Sequence, residues 1–82
     1  MRTYAFKDLP QSVISSKGEN SEKYIKTVED ELVYEIGRRV ETHWSVEPIE
    51  RKDLILNIID FPEEMTEDVD SLLYNLFGAI PF

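Results

Sequence analysis

Eighty-two residues, 41% hydrophobic and 32% charged, make one small globular domain (residues 1–82) with a single modest core, and exclude a disordered chain. The net charge of −8 is lopsided: residues 1–52 hold nine basic and ten acidic side chains, whereas residues 53–82 hold seven acids and no Lys or Arg. This excludes a direct nucleic-acid binder, because phosphate contacts need Lys and Arg, and favours a basic protein surface as partner.

The chain opens on "RTYAF", where Tyr4 and Phe6 alternate onto one side as in a minimal N-terminal strand, or as in an extended arm packed on helices. "DLPQ" follows. Asp8 with Gln11 three residues on has the form of a capping box, Pro10 is tolerated in a first turn, and Gly18 closes a short helix. From Gly18 to Trp44 the spacing predicts one long helix, capped by Asn20 or Ser21. Ile25, Leu32, Val33, Ile36, Val40 and Trp44 fall on one stripe, with Val28 at its edge. Glu22 with Lys26 and Glu35 with Arg39 stand at the favourable i,i+4 spacing. About 23 helical residues span about 35 Å, as long as a domain of this size. Gly37 inside that helix implies a bend or a close approach, at a cost of about 1 kcal/mol.

Residues 53–61 carry two patterns. Pro48, Glu47 and Glu50 resemble a helix start, and Leu54, Ile55, Ile58 and Ile59 make a helical stripe. Three isoleucines in five residues also suit a buried strand, but such a strand needs neighbours and "RTYAF" is the one candidate. Helix is therefore the favoured reading, strand the alternative. The last element is plainer: Thr66 as N-cap, Glu67 and Asp68 in the first turn, and Val69, Leu72, Leu73, Leu76 and Phe77 on one face before Gly78. Ile80 and Phe82 are expected to fold back onto Phe77, with a partner contact as the alternative. The fold class that results is mostly α: a small helical domain with one long central helix and a minimal N-terminal strand. The alternative is α+β with residues 53–61 as a strand.

Catalytic constellations are missing. There is no cysteine and one histidine, His43, read as a packed or partly buried ring beside the long helix's stripe. No serine stands in an activating Gly-rich context, and no Gly-rich loop cradles phosphate. The run "DFPEEMTEDVD" lacks the D-x-D-x-D-G order of a calcium loop. The expectation is a protein that is not an enzyme, with no cofactor, metal or catalytic residue. Absence of cysteine, of an apolar signal core and of any run near the roughly 18 residues of a membrane span points to a cytoplasmic protein without membrane contact.

The run from Asp60 to Asp70 holds six carboxylates in eleven residues. Part of it complements a helix N-terminus and keeps an apolar C-terminal third soluble. Yet Glu63 with Glu67, and Glu64 with Asp68, repel at i,i+4 with no Lys nearby in sequence. Its charge density is of the order of duplex DNA's. Asp60, Glu63, Glu64, Glu67, Asp68 and Asp70, joined by Tyr74 on the side away from the apolar stripe, form the expected partner-binding set. Tyr34 likewise faces away from the stripe of the long helix. The expected partner is a basic surface, that of a nucleic-acid-binding protein, bound by a monomer or homodimer.

The opening "YAFKDLPQSV" resembles the start of small accessory proteins encoded by bacteriophages, which begin with an aromatic-x-Phe-x-acid-Leu segment leading into a helix. The resemblance covers about ten residues. It implies a host-takeover or defence-evasion protein that acts by binding, similar in general character to anti-CRISPR and anti-restriction inhibitors; the expectation of a DNA mimic rests instead on the charge density of the acidic run. It carries over no functional position. The alternative is a small adaptor or antitoxin-like protein that dimerises through its long helix.

Overall fold

The computed structural model describes residues 1–7, 9, 19–46 and 53–82, the side chains of residues 19–21 excepted. Strand β1 (Arg2–Phe6) is followed by helix α1 (Glu19–Ile36), strands β2 (Thr42–Val46) and β3 (Leu54–Ile58), a 3-10 turn (Glu63–Met65), helix α2 (Thr66–Phe77) and the two-residue strand β4 (Ile80–Pro81). The strands form one antiparallel sheet in the order β2-β3-β1-β4. β1 and β2 both run against β3, and β3 and β4 both run against β1. Two βαβ units therefore interleave, which is the split βαβ, or ferredoxin-like, chain path.

The mostly helical class is thus corrected to α+β. The favoured helix at residues 53–61 is strand β3 over Leu54–Ile58, which buries Leu54, Leu56 and Ile58 and leaves Ile55 and Asn57 half-buried. That is a period of two. The neighbour that seemed to be missing comes from inside the expected long helix. Leu56 lies opposite Tyr4 of β1 on one side and opposite Trp44 of β2 on the other.

Helix α1 stops at Ile36 because Gly37 takes φ 88° and donates its N–H to Val33 O at 2.8 Å. That left-handed conformation is a glycine C-terminus, not a mid-helix bend. Eighteen residues span about 27 Å, close to the long dimension of a molecule measuring 33 × 23 × 21 Å. Val28 and Leu32 are buried, Ile25, Val33 and Ile36 half-buried, and Tyr34 exposed as expected. Val40 and Trp44 also join the core, but from the connection and from β2. Asn20 and Ser21 lie within α1 rather than at its cap. Apart from Leu9, the expected short helix at 8–18 lies outside the described residues, as does the helix start at Pro48.

Both helices cover one face of the sheet. Tyr4, Phe6, Leu54, Leu56 and Ile58 meet Val28 and Leu32 of α1 and Val69 and Leu73 of α2. Phe6 is the aromatic centre, its ring centroid 6.0 Å from Tyr24, 5.5 Å from Trp44 and 6.1 Å from Phe77. Such pairs add to the roughly 1.5–3 kcal/mol that burying one large apolar side chain contributes. Helix α2 starts after Met65 with no side-chain cap, for the Thr66 hydroxyl donates backwards to Glu63 O at 2.6 Å. It ends at Gly78, φ 68°, whose N–H bonds Tyr74 O at 2.9 Å while Ala79 N–H bonds Leu73 O at 3.1 Å.

Candidate functional site

The turn after β3 and the first half of α2 carry the acidic run, and the fold splits it in two. Asp70 faces inward, because the Val69 and Leu73 side of α2 packs on the sheet and Asp70 comes down beside the N-terminal end of β1. Arg2 meets it with a fork, Nε to Oδ1 at 2.9 Å and Nη2 to Oδ2 at 2.6 Å, and the Tyr4 hydroxyl donates to Oδ1 at 2.6 Å. The same guanidinium stands 5.7 Å from the Tyr4 ring centre and 5.8 Å from that of Phe61, within cation–π range. The fork, with the Tyr4 hydroxyl, holds the Asp70 carboxyl below its ordinary 3.8, although partial burial pushes the other way. Burial, and then the bond to Asp70, pushes the Tyr4 hydroxyl up.

Asp60 is also engaged within the fold. Its Oδ1 accepts the Glu41 N–H at 2.8 Å and its Oδ2 accepts Arg38 Nη1 at 3.0 Å. These bonds tie the α1–β2 connection to the β3–α2 turn, and they hold the Asp60 carboxyl below its ordinary value, the Glu41 amide contributing most. Sequence distance concealed both cations: Arg2 lies 68 residues from Asp70 and Arg38 lies 22 from Asp60. The signal for Arg2 was nonetheless present, since strand alternation puts it on the side of Tyr4 and Phe6, where a cation must find a carboxylate.

Glu63, Glu64, Glu67 and Asp68 behave differently. All four are exposed, the first two in the 3-10 turn and the others in the first turn of α2. Among the described residues no cation stands within ion-pair distance of any of them. Tyr74, 62% exposed, lies seven residues after Glu67 and so on the same side of α2. The expected set of seven therefore resolves into a cluster of five, with Asp60 and Asp70 turned to structural use.

Other candidates are placed as follows. His43 is exposed on β2 opposite Asn57, on the sheet face away from the helices, rather than packed beside the α1 stripe. Ile80 and Phe82 lie on that same outer face instead of folding back onto Phe77. Glu29, which the sequence did not single out, accepts both Thr42 Oγ1 at 2.6 Å and Trp44 Nε1 at 3.1 Å, pinning β2 to α1. Among the described residues no three His, Cys, Asp or Glu side chains converge as metal ligands, and no helix is long and apolar enough to cross a membrane. Compared with known proteins, the chain matches no family model, no curated protein and no solved structure.

Proposed function

We propose that the protein acts by binding, through the start of α2, a basic surface on a nucleic-acid-binding protein, and inhibits it by occupying the place of its polyanion. The observation that carries this reading is the cluster of Glu63, Glu64, Glu67 and Asp68, exposed and without an ion-pair partner among the described residues, beside exposed Tyr74. Four carboxylates along about 9 Å of 3-10 and α-helix give roughly one charge per 2–3 Å, against about 1.7 Å in duplex DNA. Tyrosine is a frequent anchor in such contacts. The absence of cysteine fits action in the cytoplasm, and the resemblance of "YAFKDLPQSV" fits a phage-type inhibitor.

Ferredoxin-like chain paths also serve RNA-binding modules, which stack bases on aromatics of the central strands. Here the outward residues of β1 and β3 are Thr3, Ala5, Ile55 and Asn57, and the chain carries −8. Neither stacking platform nor positive field supports that use. Dimerisation through the long helix loses support too, because Val28 and Leu32 of its stripe are spent in the domain core.

The test is affinity capture from a host lysate at about 50 mM and about 500 mM salt, followed by nucleic-acid binding assays on what is captured. A nucleic-acid-binding protein held at low salt and released at high salt is expected. The variant Glu63→Gln, Glu64→Gln, Glu67→Gln, Asp68→Asn should fold and fail to capture it. Unchanged capture by that variant would sink the proposal.

A further inference from the structure

Asp60 opens the acidic run and Asp70 closes it, and both ends are held within the fold. We propose that Arg2 and Arg38 are positioning residues for the acidic cluster: they clamp its two ends, so that Glu63, Glu64, Glu67 and Asp68 meet a basic partner already in place. The inference rests on the reading of that cluster as the binding site, and adds what holds it there.

Each end is tied to a different element. At the first, Asp60 Oδ2 accepts Arg38 Nη1 at 3.0 Å, Asp60 O accepts Arg38 Nη2 at 3.3 Å, and Asp60 Oδ1 accepts the Glu41 N–H at 2.8 Å. At the second, Arg2 forks onto Asp70 at 2.9 and 2.6 Å, and the Tyr4 hydroxyl shares the carboxylate. Arg38 belongs to the α1–β2 connection and Arg2 to β1, so the run is strung between two parts of the chain remote in sequence. In between, Phe61, Pro62 and Val69 are buried. Met65 N–H bonds Pro62 O at 2.9 Å, and the Thr66 hydroxyl bonds Glu63 O at 2.6 Å. The four remaining carboxylates stand on the outside of a segment whose ends are fixed.

Two features work to loosen that segment. Glu63 with Glu67, and Glu64 with Asp68, repel at four-residue spacing. Helix α2 also starts with no side-chain cap, and helix ends fray. A partner that met a loosened turn would have to order it first, at a cost in affinity. The fork resists this best. It is bidentate and under a third exposed, whereas the Arg38 and Asp60 side chains are about half exposed, where an ion pair is weak.

Charge and position predict opposite signs. Arg2→Met or Arg38→Met makes a chain of −8 one unit more negative. Field alone would then tighten its hold on a cationic surface. Loss of position weakens it. Association, which net charge steers, should stay as fast or quicken, while dissociation speeds up.

The test takes the protein that the full chain captures at low salt and measures its binding to both variants by stopped flow. Decalysine serves as a flexible cation, and far-UV circular dichroism checks folding. Arg2→Met should bind the captured protein about threefold to tenfold more weakly, through faster dissociation. Arg38→Met should lose less. Decalysine, which has no fixed geometry to match, should bind both variants at least as tightly as the unaltered chain. Hydrogen exchange at the Met65 amide should quicken while that at Leu56 stays slow. Failure to capture anything sinks the reading of the site, and this inference with it. Capture with undiminished affinity for Arg2→Met overturns this inference alone. So does weaker binding without faster exchange at Met65, or an equal weakening towards decalysine. Should Arg2→Met fail to fold, Arg38→Met, whose ion pair is on the surface, decides by the same readouts.

Discussion

Arg2 grips Asp70 with two parallel bonds, of 2.9 and 2.6 Å, across 68 residues of sequence, and so closes the N-terminal strand onto α2. The pair is under a third exposed, and the Tyr4 hydroxyl shares the carboxylate. Removing Asp70 leaves a buried tyrosine hydroxyl without its acceptor, whereas removing Arg2 does not. Asp70→Ala should therefore cost about 1–3 kcal/mol, and Arg2→Met about 1 kcal/mol or less, as for a partly exposed pair. Urea denaturation of both variants checks the order, and an Arg2→Met loss larger than that of Asp70→Ala would contradict it.

The stability–pH profile should fall at both ends. The Asp60 and Asp70 carboxyls are held below their ordinary 3.8 by hydrogen bonds present only in the folded chain. Their contribution is complete above that value and is lost as the pH falls through the lower folded values. Tyr4 and Tyr24 are raised above 10.0, mainly by burial. Their contribution is complete below that value and is lost as the pH rises past it. Urea midpoints measured from about pH 2 to pH 11 should form a plateau between these limits, and Asp70→Asn should flatten the acid limb.

Asp60 joins two connections by accepting the Glu41 N–H and the Arg38 guanidinium. Asp60→Ala should speed hydrogen exchange at the Glu41 amide while leaving core amides such as that of Leu56 slow. Unaltered exchange at Glu41 would remove Asp60 from this role and return it to the exposed acidic cluster.

Gly37 and Gly78 end the two helices at φ 88° and φ 68°. An added Cβ meets no atom within 4 Å at either site, so the cost of alanine is conformational rather than steric crowding by neighbours. Gly37→Ala and Gly78→Ala should each lower stability by about 1–2 kcal/mol, with Gly37→Asn milder, and thermal denaturation measures the difference. A neutral Gly37→Ala would mean that α1 can end elsewhere.

Helix α2 was legible because its evidence is local. Val69, Leu72, Leu73, Leu76 and Phe77 repeat at helical spacing, and Gly78 stands where the chain must turn left-handed, although Leu76 at the edge of that stripe is 54% exposed instead of packed. The exposure of Tyr34 and Tyr74 followed from the same geometry. The strands were legible only in part. Leu54, Ile55, Ile58 and Ile59 satisfy a helical period, while Leu54, Leu56 and Ile58 satisfy a period of two, and the sequence offers both. Val40 and Trp44 likewise fit the continued stripe of α1, although Gly37 had already ended that helix.

The candidate site divides along the same line. Exposure of Glu63, Glu64, Glu67, Asp68 and Tyr74 follows from where an amphipathic helix begins and which face it buries, matters settled within a dozen neighbouring residues. The engagement of Asp60 and Asp70 by Arg38 and Arg2 does not. A helix closes its hydrogen bonds four residues away, so its pattern is written in one stretch of chain. A strand closes them on another strand, and a carboxylate is neutralised by whichever cation the register brings beside it. Once β3 lies between β1 and β2, the choice of period at residues 54–58 is made, and Arg2 arrives under Asp70.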